Sequence, residues 1–158
     1  MAIRRQATAG MIADTSLYNI DGACAMSSGL VRQVGTAVGV SSVVDGHKVL
    51  SAPSAESVYG VLVKSHYESP KGTYGGAAGD IDDYQVANVM THGRIWVQTS
   101  LDAAPAFGSA ITVNAAGIAS STAADASNFA LGTAAGGFQA ADSASGEPAL
   151  VEVQLLQK

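Results

Sequence analysis

Three histidines, His47, His66 and His92, are the side chains best suited to bind a metal or move a proton near neutral pH. Their spacing fits no metal-ligand motif, and each reads as a surface or turn residue. Asp80, Asp82 and Asp83 gather carboxylates as a calcium loop does, but the later bidentate Glu that such a loop needs does not follow. Cys24 is the single cysteine, which excludes an internal disulfide and a thiolate metal site. Its Ala-Cys-Ala-Met setting is that of a small buried thiol. No serine lies in Gly-x-Ser-x-Gly, the pattern of the sharp turn that exposes a hydrolase nucleophile. The glycine-rich segments 75–79 and 132–137 lack the Gly-Lys-Ser/Thr ending of a phosphate cradle, and suit turns and close approach of neighbouring chains. These residues lead us to expect no catalysis, no cofactor and no metal.

The composition points the same way. The chain has 158 residues, enough for one domain with its own core. Only 13% of residues are charged, against about 25% in an ordinary soluble domain. Net charge is -5, and Arg4 and Arg5 are the one adjacent basic pair, so no face offers the cationic cluster that duplex binding requires. Trp96 and the tyrosines are not interleaved with basic residues, which argues against a platform for single strands. No apolar run approaches the roughly 20 residues of a membrane span. Arg4 and Arg5 are followed by polar and small residues rather than an apolar secretory segment, so synthesis in the cytoplasm is expected. Ala, Gly, Ser and Thr stand where Lys and Glu usually keep a domain soluble. Such surfaces pack closely against protein, and much of this one is expected to be subunit interface.

The elements that must carry that surface read as β. Residues 1–33 show scattered apolar side chains without a period, and are expected to form an N-terminal arm or irregular edge of a domain spanning 34–158. Val34, Thr36, Val38 and Val40 alternate, and Asp45-Gly46 predicts a hairpin whose return strand begins at His47. Residues 58–64 form a β-branched strand. Residues 65–83 are a long polar loop. Two strands, 86–90 and 94–98, are expected to pair across Thr91-His92-Gly93, with Ile95 and Val97 opposite Trp96 and Gln98. Strands at 110–113 and 129–132 follow, with turns near 114–117 and 136–138. Ala149, Val151, Val153 and Leu155 give the last strand one apolar face. Short strands between Gly, Asp and Ser turns indicate an all-β barrel or sandwich with little helix. An internal echo is visible: 35–40 resembles 108–113, and 57–61 resembles 127–131.

Low charge, abundant small residues, the repeated Gly-x-Ala-Val/Ile-x-Val unit, the Val-Tyr-Gly-Val-Leu-Val strand and the alternating last strand together resemble the capsid cement, or decoration, proteins of tailed bacteriophages. That resemblance implies a single β-barrel, β-tulip or jelly-roll-like domain, and covers residues 34–158; the irregular arm at 1–33 is read from the residues and not from the resemblance. The resemblance further implies a homotrimer on the capsid exterior of the virion, whose partners are the major capsid protein and its own copies. Partner contact is expected from Arg4, Arg5, Met11, Ile12, Tyr18 and Ile20 in the arm. Two alternatives stand beside it. One is a phage tail or fibre-associated β module. The other is a small carbohydrate-binding or hydrolase domain using the 65–83 loop, with His66, Asp80 and Asp82 flanked by Tyr67, Tyr74 and Tyr84.

Overall fold

The structure, a computed structural model, describes residues 7–64, 80–81 and 84–155. Among these residues there are only strands: β1 (Ile12–Met26), β2 (Arg32–Gln33), β3 (Ala37–Val44), β4 (His47–Ser51), β5 (Gly60–Leu62), β6 (Asp80–Ile81), β7 (Val86–Thr99), β8 (Ala110–Val113), β9 (Ala119–Ser120), β10 (Phe129–Gln139) and β11 (Ala149–Leu155). The chain is all-β, as its alternation and turn residues require. Strands β2 and β6 pair with each other, and the other nine lie in one sheet ordered β1-β4-β3-β5-β7-β11-β10-β8-β9.

Two further pairings, β1 with β7 and β7 with β9, turn this order into two circuits that share β7. The first runs β1-β4-β3-β5-β7, the second β7-β9-β8-β10-β11. Each contains one parallel pairing, β1 with β4 and β7 with β9, and is otherwise antiparallel. The correspondence extends to single hydrogen bonds. Gly35 donates to Leu62 O and Leu62 donates to Thr36 O; likewise Gly108 donates to Ala134 O and Ala134 donates to Ser109 O. Gly35 and Gly108 have φ of 77° and 79°. Gly60 and Gly132 mark the closest approach: a Cβ on either would strike the backbone of the next strand, at Met90 and Gln154 respectively. The fold is thus an internal duplication, and the sequence echo is real. The structure keeps the match of 35–40 with 108–113 but shifts the second one by two residues, since Gly60 corresponds to Gly132.

The same strands feed two cores. Cys24, Met26, Val38, Leu50, Leu62 and Val89 fill the first circuit. Ile95, Ile111, Val113, Leu131, Val151 and Val153 fill the second. Ala37, Val61 and Met90, on the opposite face from Val38, Leu62 and Val89, enter the second core with Ile20 packed against it. The register places these four in one row across β3, β5, β7 and β1. The matching row of the second circuit is Ala110, Thr133, Gln154 and Arg94. It is exposed or half-buried.

Several expectations need correction. Residues 86–90 and 94–98 do not form a hairpin; they are one strand, β7. Gly93, at φ 111°, kinks it beneath an excursion of β1 rather than reversing it. The turn near 136–138 is likewise continuous strand, since β10 runs through Gly136 to Gln139. The segment 58–64 contributes only Gly60–Leu62, although the Tyr59 N–H still donates to Val38 O of β3. Residues 1–33, read as aperiodic, contain β1, the longest strand of the sheet. Four register irregularities against β7 erase its alternation. The Asp45-Gly46 hairpin forms as expected, with both φ values positive (50° and 81°), the geometry of a type I′ turn. Most of the 65–83 loop, including His66, Tyr67, Tyr74, Asp82 and Asp83, lies outside the described residues.

Candidate interaction surface

Arg4 and Arg5 lie outside the described residues. Of the other four expected contact residues, Met11 packs beside Ala7, Trp96 and Leu150. Ile12 and Ile20 pack against the second core. Tyr18 is different. Asp14 pairs with Arg94 and Asn19 with His92, so residues 15–18 have no register partner and bulge outward over Gly93. The bulge presents Leu17, 70% exposed, and Tyr18, 43% exposed. Asp14 accepts a hydrogen bond from Ser16 N–H at 2.8 Å, and Asn19 donates to Thr91 at 2.8 Å, closing the bulge at both ends. The structure therefore separates these four: Tyr18 faces outward, while Met11, Ile12 and Ile20 hold the strand that carries it.

A second exposed apolar feature was not foreseen. The tip of the β3–β4 hairpin carries Val43, 64% exposed, and Val44, 54% exposed. On the same half, Ala25 of β1 stands between Val86 of β7 and Val49 of β4 in register. Val86 is also exposed, and Ala25 and Val49 are half-buried. Turn chemistry reveals the hairpin in the sequence. The exposure of its valines is invisible there, because an alternating Val reads as core.

Sequence reasoning also missed the main polar cluster. Asp21 of β1 meets Lys48 of β4 at 2.6 Å and accepts the Tyr59 hydroxyl at 2.5 Å. The Lys48 ammonium lies 5.7 Å from the centre of the Tyr59 ring. Lys48, then Tyr59, hold the Asp21 carboxyl down at about 2. Burial, then the Asp21 hydrogen bond, push Tyr59 up to about 12. Burial pushes the adjacent Cys24 thiol up to about 11, and Asp21 keeps the Lys48 ammonium charged. Each group is driven away from its nucleophilic or proton-transferring form, so the cluster ties β1, β4 and the approach to β5 together.

Among the described residues no three His, Cys, Asp or Glu are grouped as metal ligands. A cleft of ≈ 510 Å³ lies between residues 99–102 and the ends of β10 and β11. Its lining is mostly Ala, Ser, Thr and Pro, with Asp102 the one charged residue. Among the described residues no helix is long and apolar enough to cross a membrane.

Comparison with known proteins adds one finding. No curated protein matches the chain. The sequence model of the phage structural cement proteins, described by E217 gp24 and Pam3 gp6, matches residues 2–156, and so takes in both circuits and the shared strand. A duplicated all-β chain with little charge, apolar side chains turned outward and a match along nearly its full length belongs to the phage structural cement protein family.

Proposed function

We propose that this protein coats the outside of an assembled phage capsid and stabilises contacts between major capsid protein subunits. In this reading each circuit is a small barrel, and several copies, expected as trimers, sit together on the shell. The family match over residues 2–156 carries the reading. The surface supports it. With 13% charged residues and a net charge of -5, the chain is suited to close protein contact and is repelled by the packed polyanion inside a filled shell. Many copies on one lattice gain avidity from individually weak contacts.

Arg4, Arg5 and Tyr18, with Leu17 beside it, are proposed to touch the shell, while Met11, Ile12 and Ile20 support them. Deleting residues 1–20 is a poor test, because it removes more than half of β1 and two side chains packed on the second core. Point variants are cleaner. Shells assembled without the protein, then incubated with it, are expected to gain density on their outer surface and to melt at higher temperature. L17S/Y18S and R4E/R5E are expected to lower occupancy by about tenfold, equivalent to about 1.4 kcal/mol per copy, with the fold intact. Absence of added density, or binding confined to tails, would refute the reading.

A further inference from the structure

Inside the molecule, the second half is fastened to the first by a hairpin turn. The turn between β8 and β9 seats Gly117 directly over Ala37, with no room for a side chain. The Ala37 N–H donates to Gly117 O at 2.9 Å, and Arg32 reaches Ala115 O at 3.3 Å. Both partners in this contact have counterparts that are left uncovered. The counterpart of the turn is the β3–β4 hairpin. It is longer, with residues 41–49 against 114–118 between matched pairs, and nothing lies within 4 Å of where a Gly46 side chain would be. The counterpart of Ala37 is Ala110, which is exposed at the start of β8.

We infer that the β3–β4 hairpin of one copy docks on the Ala110–Thr133–Gln154–Arg94 row of a second copy, repeating between molecules the contact already made between the halves. Two features favour a second copy as the occupant. The contact continues an interface the chain has already built, so the receiving strand has the matching backbone geometry. The charges also complement each other: Asp45 stands at the tip of the hairpin, and Arg94 is exposed at the end of the row, where its Nε approaches Gln154 at 3.4 Å. Val43 and Val44 would lie against Ala110 and the aliphatic stems of Gln154 and Arg94. The contact is head-to-tail, using different surfaces on each copy, and so builds a ring or a chain rather than a symmetric pair. It adds to the capsid role a lateral contact between neighbours, and depends on that role only for where the copies meet.

The full-length chain tests this by sedimentation velocity over a concentration series. The unmodified protein is expected to self-associate. D45K and R94E are each expected to weaken association by about tenfold or more while melting normally. The double variant D45K/R94E is expected to recover association, because every lysine tip then meets a glutamate row. Failure of the unmodified protein to associate, association unchanged in both single variants, or no recovery in the double variant overturns the inference. If V44C cross-links to capsid protein on particles instead of to a copy carrying A110C, the hairpin serves the shell and the inference also falls. Shell occupancy is scored separately. A chain that loads shells without self-contact defeats this inference alone, and one that self-associates but ignores shells defeats the functional reading alone.

Discussion

In the first circuit the row Ala37–Val61–Met90–Ile20 is apolar and covered by the other half, whereas the matching row of the second, Ala110–Thr133–Gln154–Arg94, faces solvent. The interiors differ in the opposite sense. Asp21 and Tyr59, which meet around Lys48 in the first circuit, correspond by register to Ile95 and Leu131 in the second, and both of those are buried in its core. One ladder thus tolerates an ion pair in one half and aliphatic packing in the other. What both halves keep is backbone: a left-handed glycine before the first hairpin and a bare glycine where two strands touch. The pairing is specified by where a side chain is forbidden, and the choice of side chain elsewhere is left free to fit each face to its surroundings.

The strongest way to break this equivalence is to fill the two points of closest approach. G60A and G132A each place a methyl against backbone that cannot move aside, and each is expected to cost about 3 kcal/mol in urea unfolding. Tolerance of one and not the other would show that the halves are not held by the same geometry. A smaller effect is expected from the ion pair. K48M leaves Asp21 beside Tyr59 without its cation and is expected to lower the urea midpoint by less than either glycine variant does. The triple variant D21I/K48M/Y59L, which gives the first circuit an interior like that of the second, is expected to cost less than K48M alone; a larger loss would mean that the cluster stabilises beyond its packing. Smallest is the acid response. Asp21 is lowered from 3.8 to about 2, so its ionised form favours the fold. That contribution is present above pH 3.8 and is lost as pH falls through 2, and solvent access limits it to about 1–2 kcal/mol. The stability gap between the natural chain and D21N should therefore be measurable at pH 6 and close near pH 2. A gap that widens in acid would reverse the assignment.

Much of the architecture was legible in the residues. Asp45-Gly46 specified a hairpin, the alternation of 149–155 specified a strand with one buried face, and the unit at 35–40 returned at 108–113 with matching backbone. What escaped had physical causes. Thr91-His92-Gly93 has the composition of a turn, and only the β1 bulge opposite, too far back along the chain for any local pattern to link the two, makes it a kink in one strand. The strand β1 itself was hidden because each irregularity in its pairing resets which residues face inward. Asp21, Lys48 and Tyr59 are far apart in sequence and match no motif, so closure of the first circuit alone brings them together. Leu17 beside Tyr18 was missed for a related reason: an apolar residue in an unpaired bulge looks no different in sequence from one in the core.

The 14-residue strand β7 belongs to both circuits. A tug on one lobe therefore passes to the other along covalent backbone. If both lobes grip the proposed shell, one that lets go is kept beside its site by the twin that still holds.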